Sequence, residues 1–139
     1  MKKLIFMALV LVSTSSFAKE FTINAVEMYE AGLMPGGPQV LIFNQQGKLV
    51  HHSTELNKQI VTEFKQQSDF ADTQNIVEKL EKILGEPLVS GAQDYTVYSI
   101  NMEAANPCPP CAKQNKFLNA ALKKYADKKI THNKVHLSL

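Results

Sequence analysis

The 139-residue sequence contains no arginine and only two cysteines. Because the guanidinium fork of arginine provides bidentate binding of phosphate or carboxylate, its absence excludes clamps of that kind. The chain has 15 lysines against 13 acidic residues, but two of the lysines lie at positions 2 and 3. Without them the two charges balance, so the rest of the chain lacks the net positive charge on which nucleic-acid binding depends. We therefore expect no nucleic-acid partner.

Long apolar runs are also scarce, and the longest is at the N-terminus. Two lysines precede an unbroken apolar stretch from Leu4 to Val12, and a small, polar segment follows and ends at Ala18. This order is typical of a secretory signal peptide, and the stretch is far shorter than the roughly 20 residues of a membrane span. We expect residues 1–18 to be a signal peptide and residues 19–139 to be a single domain, soluble in the periplasm after cleavage.

Both cysteines lie in one short motif, Asn106-Pro107-Cys108-Pro109-Pro110-Cys111. Residues 95–101 before it alternate like a strand, and residues 112–126 after it have helical periodicity. A Cys-x-x-Cys pair between a strand and a helix is typical of a redox dithiol. The free N–H groups and the positive end of the helix dipole stabilise the thiolate of the first cysteine.

Two other interpretations of Cys108 and Cys111 compete with the redox dithiol. A structural disulfide is one, although so short a loop contributes only about 2 kcal/mol. A metal site with His132 and His136 is the other, but residues four apart in a strand lie about 13 Å from each other, too far for one tetrahedral site. Haem attachment requires a histidine where Ala112 stands. The redox dithiol is favoured, and we expect no metal and no cofactor.

Periodicity predicts the other elements. Residues 38–54 form a β-hairpin in which the apolar run Val40–Phe43 is a central strand, with the histidine pair His51 and His52 at a strand end. We also expect a short strand and a turn or two of helix within residues 21–33, helices over 56–67 and from residue 72 or 73 to Gly85, and a last strand within 128–139.

The Cys-Pro-Pro-Cys motif at the end of a strand resembles the thioredoxin superfamily, in particular its periplasmic thiol-disulfide oxidoreductases. The tryptophan that commonly precedes the first cysteine in that family is absent, since Asn106 and Pro107 stand there. In the family a cis-proline, a hairpin and a helix follow the dithiol unit. Only 28 residues follow Cys111, and none of them is proline. The second half of the family pattern therefore cannot lie downstream.

Residues 37–50 are similar to the missing proline and hairpin, with residues 56–67 as the following helix. The resemblance thus implies an α/β fold: a thioredoxin-like three-layer sandwich with a mixed central sheet, helices on both faces and a circularly permuted order. Permutation is tolerated where the cut falls at the surface. The competing interpretation is that the hairpin only decorates an incomplete fold.

The resemblance also implies the roles of the site residues. Cys108 is the attacking thiol and Cys111 resolves the mixed disulfide. Pro109 and Pro110 make the turn rigid, and together with Gly37 and Pro38 they are the expected substrate-binding residues. Pro38 lies against the dithiol if it is cis, and is an ordinary turn proline if it is trans. The other candidate, Glu103, assists proton transfer if it is buried and otherwise is a solvated loop residue.

The function so implied is thiol-disulfide oxidoreductase activity. The expected partners are protein thiols or disulfides in the periplasm, with a membrane redox protein as a further candidate. The alternative is a secreted thioredoxin-like binding module whose Cys-x-x-Cys is structural or inert.

The segment Ser16-Phe17-Ala18 generates the first prediction, because small residues at positions −3 and −1 suit signal peptidase. We expect the secreted protein to begin at Lys19, and mass spectrometry of the intact secreted chain measures this directly. A secreted chain that retains residues 1–18 would contradict the prediction.

Overall fold

Five strands of the computed structural model, which describes residues 18–60, 64 and 73–139, form one mixed sheet. The strands are β1 (Glu20–Asn24), β2 (Gln39–Asn44), β3 (Leu49–Ser53), β4 (Tyr95–Met102) and β5 (Ile130–Ser138). Their order across the sheet is β1-β5-β4-β2-β3. β5 pairs parallel with β1 and with β4, whereas β2 pairs antiparallel with β4 and with β3. The sheet thus joins a parallel half to an antiparallel hairpin.

The described part of the chain contains three helices, which are α1 (Ala25–Glu30), α2 (Thr73–Leu84) and α3 (Pro109–Lys124). Successive residues of a strand point to opposite faces of a sheet, so β2 contributes to two cores. Leu41 and Phe43 pack with Met28 of α1 and Leu80 of α2 on one face. The residues on the other face are Val40 and Ile42 of β2, Val97 of β4, and Leu118 and Ala121 of α3. Helices therefore cover both faces of an α/β fold.

The strand-helix-strand unit and the hairpin occur as the sequence predicts. β4 and β5 are parallel and α3 connects them, since a parallel pair requires a crossover. The apolar run of β2 lies between β4 and β3, with Val40–Phe43 all buried. Gln39 of β2 is paired with Ile100 of β4, so the segment before β2 approaches the C-terminal end of β4. This pairing brings the segment before β2 and the segment after β4, which are distant in the chain, to the same end of the sheet.

The weakly patterned start of the chain also forms the expected strand and helix, β1 and α1. At the end of β3, His51 is buried and His52 is half-buried. Half of the helix expected over residues 56–67 lies outside the described residues, and in the described half residues 56–59 are loop and turn, so the helix does not begin at Leu56. Leu56 is exposed, whereas Ile60 and Phe64 are buried in the core beside α3. Within the described ranges no helix is long and apolar enough to span a bilayer.

Candidate functional site

Cys108 and Cys111 form a disulfide at the start of α3, with a sulfur-sulfur distance of 2.03 Å. Cys108 is the N-cap residue, and Pro109 and Pro110 occupy the first two helical positions. Prolines are tolerated there because the first N–H groups of a helix have no partner within it. Since neither proline has an N–H, the first amide of the helix is that of Cys111, whose nitrogen lies 3.3 Å from the Cys108 sulfur. One backbone donor is therefore aimed at Cys108.

The two sulfurs differ in their exposure to solvent. Cys111 is only 5% exposed and belongs to the buried core, whereas Cys108 is half-buried. Pro109 and Pro110 beside it are exposed. The first turn of α3 contains no acidic residue, so no carboxylate there opposes the positive end of the helix dipole at Cys108. Of the two cysteines, Cys108 is therefore the more accessible to another molecule.

The segment before β2 lies directly against the dithiol. The Gly37–Pro38 peptide bond is cis, and Pro38 is buried. The Gly37 carbonyl oxygen is 4.0 Å from the Cys108 sulfur. A Cβ atom at position 37 would lie 2.9 Å from the Ile100 carbonyl oxygen and 3.3 Å from the Cys111 sulfur. Residue 37 therefore has room for a hydrogen atom but not for a side chain.

A buried glutamine holds this segment in place. Gln39 is 3% exposed, and its Nε2 donates to the carbonyl oxygens of Met34 and Gly36, both at 2.7 Å. Its Oε1 lies 3.5 Å from Nε2 of His52, whose pKa is lowered by burial and by the charge of neighbouring His51. One side chain thus fixes the course of the backbone that approaches Cys108.

A second buried glutamine lies one turn after Cys111, where it connects α3 to the segment after β3. The Oε1 of Gln114 accepts a hydrogen bond from the backbone N–H of Asn57 at 2.6 Å, and its Nε2 donates to the backbone carbonyl oxygen of Asn57 at 3.2 Å. Gln114 is 1% exposed, and both polar atoms of its side-chain amide have a hydrogen-bond partner. The helix that carries the dithiol is therefore anchored by a polar contact as well as by its apolar face.

A groove of about 420 Å³ opens beside the cysteines, between α3 and the strands β4, β5 and β1. His132 of β5 lines this groove, and its Nε2 lies 2.7 Å from Oγ of Ser99, a buried residue of β4. Burial and then the positive charge of Lys134 lower the pKa of His132 to about 4. The imidazole is therefore neutral at neutral pH. The residues that line the groove are Glu20, Asn101, Met102, Ala104, Asn106, Pro107, Cys108, Cys111, Ala112, Asn115, Asn119, His132, Lys134 and His136.

The other candidates named from the sequence are placed as follows. His132 and His136 line the same groove as the cysteines, but the described residues contain no group of three or more His, Cys, Asp or Glu side chains arranged to hold a metal ion. Glu103 is half-buried in the loop after β4, and its N–H donates to the Leu137 carbonyl at 3.0 Å.

Sequence reasoning missed the polar residues of the site, although β4 contains a signal for them. Its alternate residues on the α3 side change from Tyr95 and Val97 to Ser99 and Asn101. A core-facing row that becomes polar towards the end of a strand indicates partners at that end, because buried polar groups are nearly always hydrogen-bonded. The Ser99 contact with His132 satisfies this requirement.

No protein family, no curated protein and no solved structure matches the chain.

The contact at Gly37 generates a prediction for Gly37→Ala. The added methyl would meet the backbone of β4 at 2.9–3.0 Å, so we expect the free energy of unfolding to fall by about 1–3 kcal/mol, the usual cost of overpacking. The segment should move away from the sulfurs, so dithiothreitol should reduce the disulfide faster. Denaturant unfolding and timed thiol quantification measure the two effects.

Gly47→Ala is the matched control for this experiment, because Gly47 lies in the β2–β3 turn with a φ of +79° and open space around it. We expect a loss of about 1 kcal/mol from backbone strain, with an unchanged rate of reduction. Equal reduction rates in wild type and Gly37→Ala would contradict the close packing of residue 37 against the dithiol.

The lowered pKa of His132 generates a prediction of pH-dependent stability. The ordinary histidine value is 6.5 and the folded value is about 4, so the unfolded chain binds the additional proton between these limits. Stability is therefore greatest above pH 6.5 and falls as the pH falls towards 4. Between pH 7 and 4.5, wild type should lose about 2 kcal/mol more free energy of unfolding than His132→Gln.

Lys134→Gln provides a graded comparison, because it removes the charge that contributes to the lowered pKa of His132 while leaving the imidazole buried. Its acid-induced loss should fall between those of wild type and His132→Gln in urea titrations. Parallel curves of unfolding free energy against pH for wild type and His132→Gln would show that the pKa of His132 is not lowered in the folded protein.

Proposed function

We propose that this protein is a periplasmic thiol-disulfide oxidoreductase, which exchanges disulfides with protein substrates through Cys108 and Cys111. The observation that carries the proposal is the arrangement at the start of α3. A disulfide between residues three apart caps a helix, with one sulfur half-buried and the other in the core. A structural disulfide has no need of one accessible sulfur, whereas exchange chemistry requires it because the attacking atom must reach a substrate.

The proposed fold is a thioredoxin-like sandwich with circularly permuted order. Three features support it: the parallel β4-α3-β5 unit that carries the dithiol, the antiparallel pairing of the β2–β3 hairpin with β4, and the cis-proline immediately before that hairpin. The hairpin precedes the dithiol in the chain, although the resemblance places it after. The proximity of Gly37 to Cys108, 71 residues apart, is the spatial relation that such a permutation preserves.

The exchange reaction follows from the difference between the two sulfurs. In the reduced protein, the Cys108 thiolate attacks a substrate disulfide, which forms a mixed disulfide and releases one substrate sulfur as a thiolate. Cys111 then attacks the Cys108 sulfur, forms the internal disulfide and releases the second substrate sulfur. The substrate gains two electrons and the dithiol loses two. The same steps in reverse transfer a disulfide to a substrate dithiol.

The surroundings of Cys108 suit an extended polypeptide substrate. The Gly37 carbonyl oxygen lies 4.0 Å from the sulfur, and Pro109 and Pro110, which follow Cys108 in the chain, are exposed. A strand of substrate beside residue 37 would present its own backbone groups to that segment, which is a general mode of peptide recognition. Periplasmic protein thiols or disulfides are the proposed partners, and a membrane redox protein is the proposed source or acceptor of electrons.

Substitution of the resolving cysteine tests this function. Because Cys111→Ala leaves Cys108 able to attack but removes the thiol that releases the substrate, we expect covalent complexes with periplasmic proteins. Non-reducing electrophoresis of cells expressing the variant should show bands of higher mass, and dithiothreitol should abolish them.

Cys108→Ala is the matched control, because it retains one cysteine of the same pair but places it in the core, where it is only 5% exposed. It should trap few complexes or none. A binding module with an inert disulfide would give no trapped complexes with either variant, and that result would overturn the proposed function.

A further inference from the structure

The charged residues of this chain are distributed unevenly between two parts. Residues 108–139, which contain the dithiol, have seven lysines and one acidic residue, Asp127. Residues 19–107 have six lysines and 12 acidic residues. The overall balance of charge therefore conceals a positive part and a negative part, and the dithiol belongs to the positive part. A local field of this kind acts on the approach of charged molecules even where the net charge is close to zero.

The helix that begins at the dithiol carries much of this positive charge. α3 contains no acidic residue. Its buried residues, which recur every three or four positions on the side that faces the sheet, are Cys111, Gln114, Leu118 and Ala121. Its lysines are exposed and, at 3.6 residues per turn, fall together on the opposite side: Lys113, Lys116, Lys123 and Lys124. We call these four residues the lysine face.

The lysine face begins close to Cys108. At the usual rise of about 1.5 Å per residue, Lys113 lies about 8 Å and Lys116 about 12 Å along the helix from Cys108. Helical side chains lean towards the N-terminus of their helix, so both lysines leave α3 in the direction of the dithiol. The Debye length is about 8 Å at physiological ionic strength. A charge beside the substrate cysteine is therefore only partly screened from these lysines.

The groove on the β5 side of the dithiol adds a further lysine. Lys134 is exposed and lines this groove together with Cys108. The one acidic residue of the groove lining is Glu20, which lies 3.9 Å from His136. Glu103, which precedes the Cys-x-x-Cys motif, is half-buried. Together with the lysine face, these described positions around the dithiol carry more positive than negative charge.

We propose that the lysine face and Lys134 recruit protein substrates whose reactive cysteine has acidic neighbours, and so determine which cysteines exchange with Cys108. The inference rests on the proposed function and leaves its chemical steps unchanged, because charge complementarity acts mainly on the rate of association. A lysine ammonium is a point charge on a flexible stem, whereas the fixed fork of arginine is absent from this chain. Selection should therefore depend on the net charge beside the substrate cysteine rather than on one particular sequence.

Two peptides of equal length test this selection on the reduced protein. Each has one cysteine, activated as a mixed disulfide with a chromophoric thiol, and aspartates flank it in one peptide and lysines in the other. Release of the chromophore gives the rate of exchange, which is divided by the rate of the same peptide with dithiothreitol. At about 10 mM ionic strength we expect the aspartate peptide to react at least about tenfold faster. At about 1 M the preference should nearly vanish, because the Debye length falls from about 30 Å to about 3 Å.

Two double variants with equal changes of net charge locate the effect. Lys113→Gln with Lys116→Gln removes the part of the lysine face nearest to Cys108 and should reduce the preference at least about threefold. The control, Lys48→Gln with Lys82→Gln, changes exposed lysines of the β2–β3 turn and of α2, the helix on the other face of the sheet, and should leave the preference unchanged. Since the preference is a ratio measured on one protein, any change in the reactivity of the Cys108 thiolate cancels.

An unchanged preference after the Lys113 and Lys116 substitutions, or an equal loss in the control, would overturn the inference. Equal rates for the two peptides in wild type would also overturn it, but would leave the proposed function intact because both peptides still exchange. Vesicles of anionic phospholipid that bind through the same lysines, without any preference between the peptides, would assign the lysine face to a membrane surface instead. Failure of wild type to react with either peptide would overturn the proposed function and the inference together.

Discussion

The backbone of residue 37 lies against the end of β4 and against both sulfurs, and much of the site depends on this contact. A side chain there would meet the Ile100 carbonyl and the Cys111 sulfur, so only glycine allows the segment before β2 to approach so closely. Gln39 fixes the segment before β2 through two short hydrogen bonds. The register of β2 against β4 sets the position of that segment along the strand direction. The surroundings of Cys108 thus depend on a segment that includes Gly37, which is 71 positions away in the chain.

The dithiol has two sides of different character. On the side of the hairpin, the Cys108 sulfur lies 4.0 Å from the backbone carbonyl oxygen of Gly37. On the side of β5, the groove is lined by asparagine, lysine and histidine side chains, and one of these, His132, is hydrogen-bonded to buried Ser99. Cys108 also caps α3, and the Cys111 amide nitrogen lies 3.3 Å from its sulfur.

The sequence was sufficient for those features that depend on local pattern. Alternation and the apolar run predicted the β2–β3 hairpin and the parallel β4–β5 unit, both confirmed by the strand pairing. Helical periodicity located α2 and most of α3, but the apolar stripe of α3 begins only after its first turn. The helix starts at Pro109, directly after Cys108, because prolines need no N–H partner at the first helical positions.

The features that the sequence did not predict depend on contacts between distant segments. The Ser99–His132 pair requires the register of β4 against β5, and the anchoring of Gln114 requires the position of the segment after β3. No local pattern contains that information. The permuted thioredoxin-like order, the periplasmic location and the exchange activity stay predictions, because they concern relationships and reactions rather than the arrangement of the described residues.

The reduction potential of the Cys108–Cys111 pair is the most direct test of the account. Equilibration with mixtures of reduced and oxidised glutathione, followed by alkylation and intact mass analysis, gives its value. An exchange dithiol should have a potential of about −270 mV or higher, within the range of known thiol-disulfide oxidoreductases. A value below about −300 mV, which is typical of structural disulfides, would contradict the central claim that these two cysteines exchange electrons with substrates.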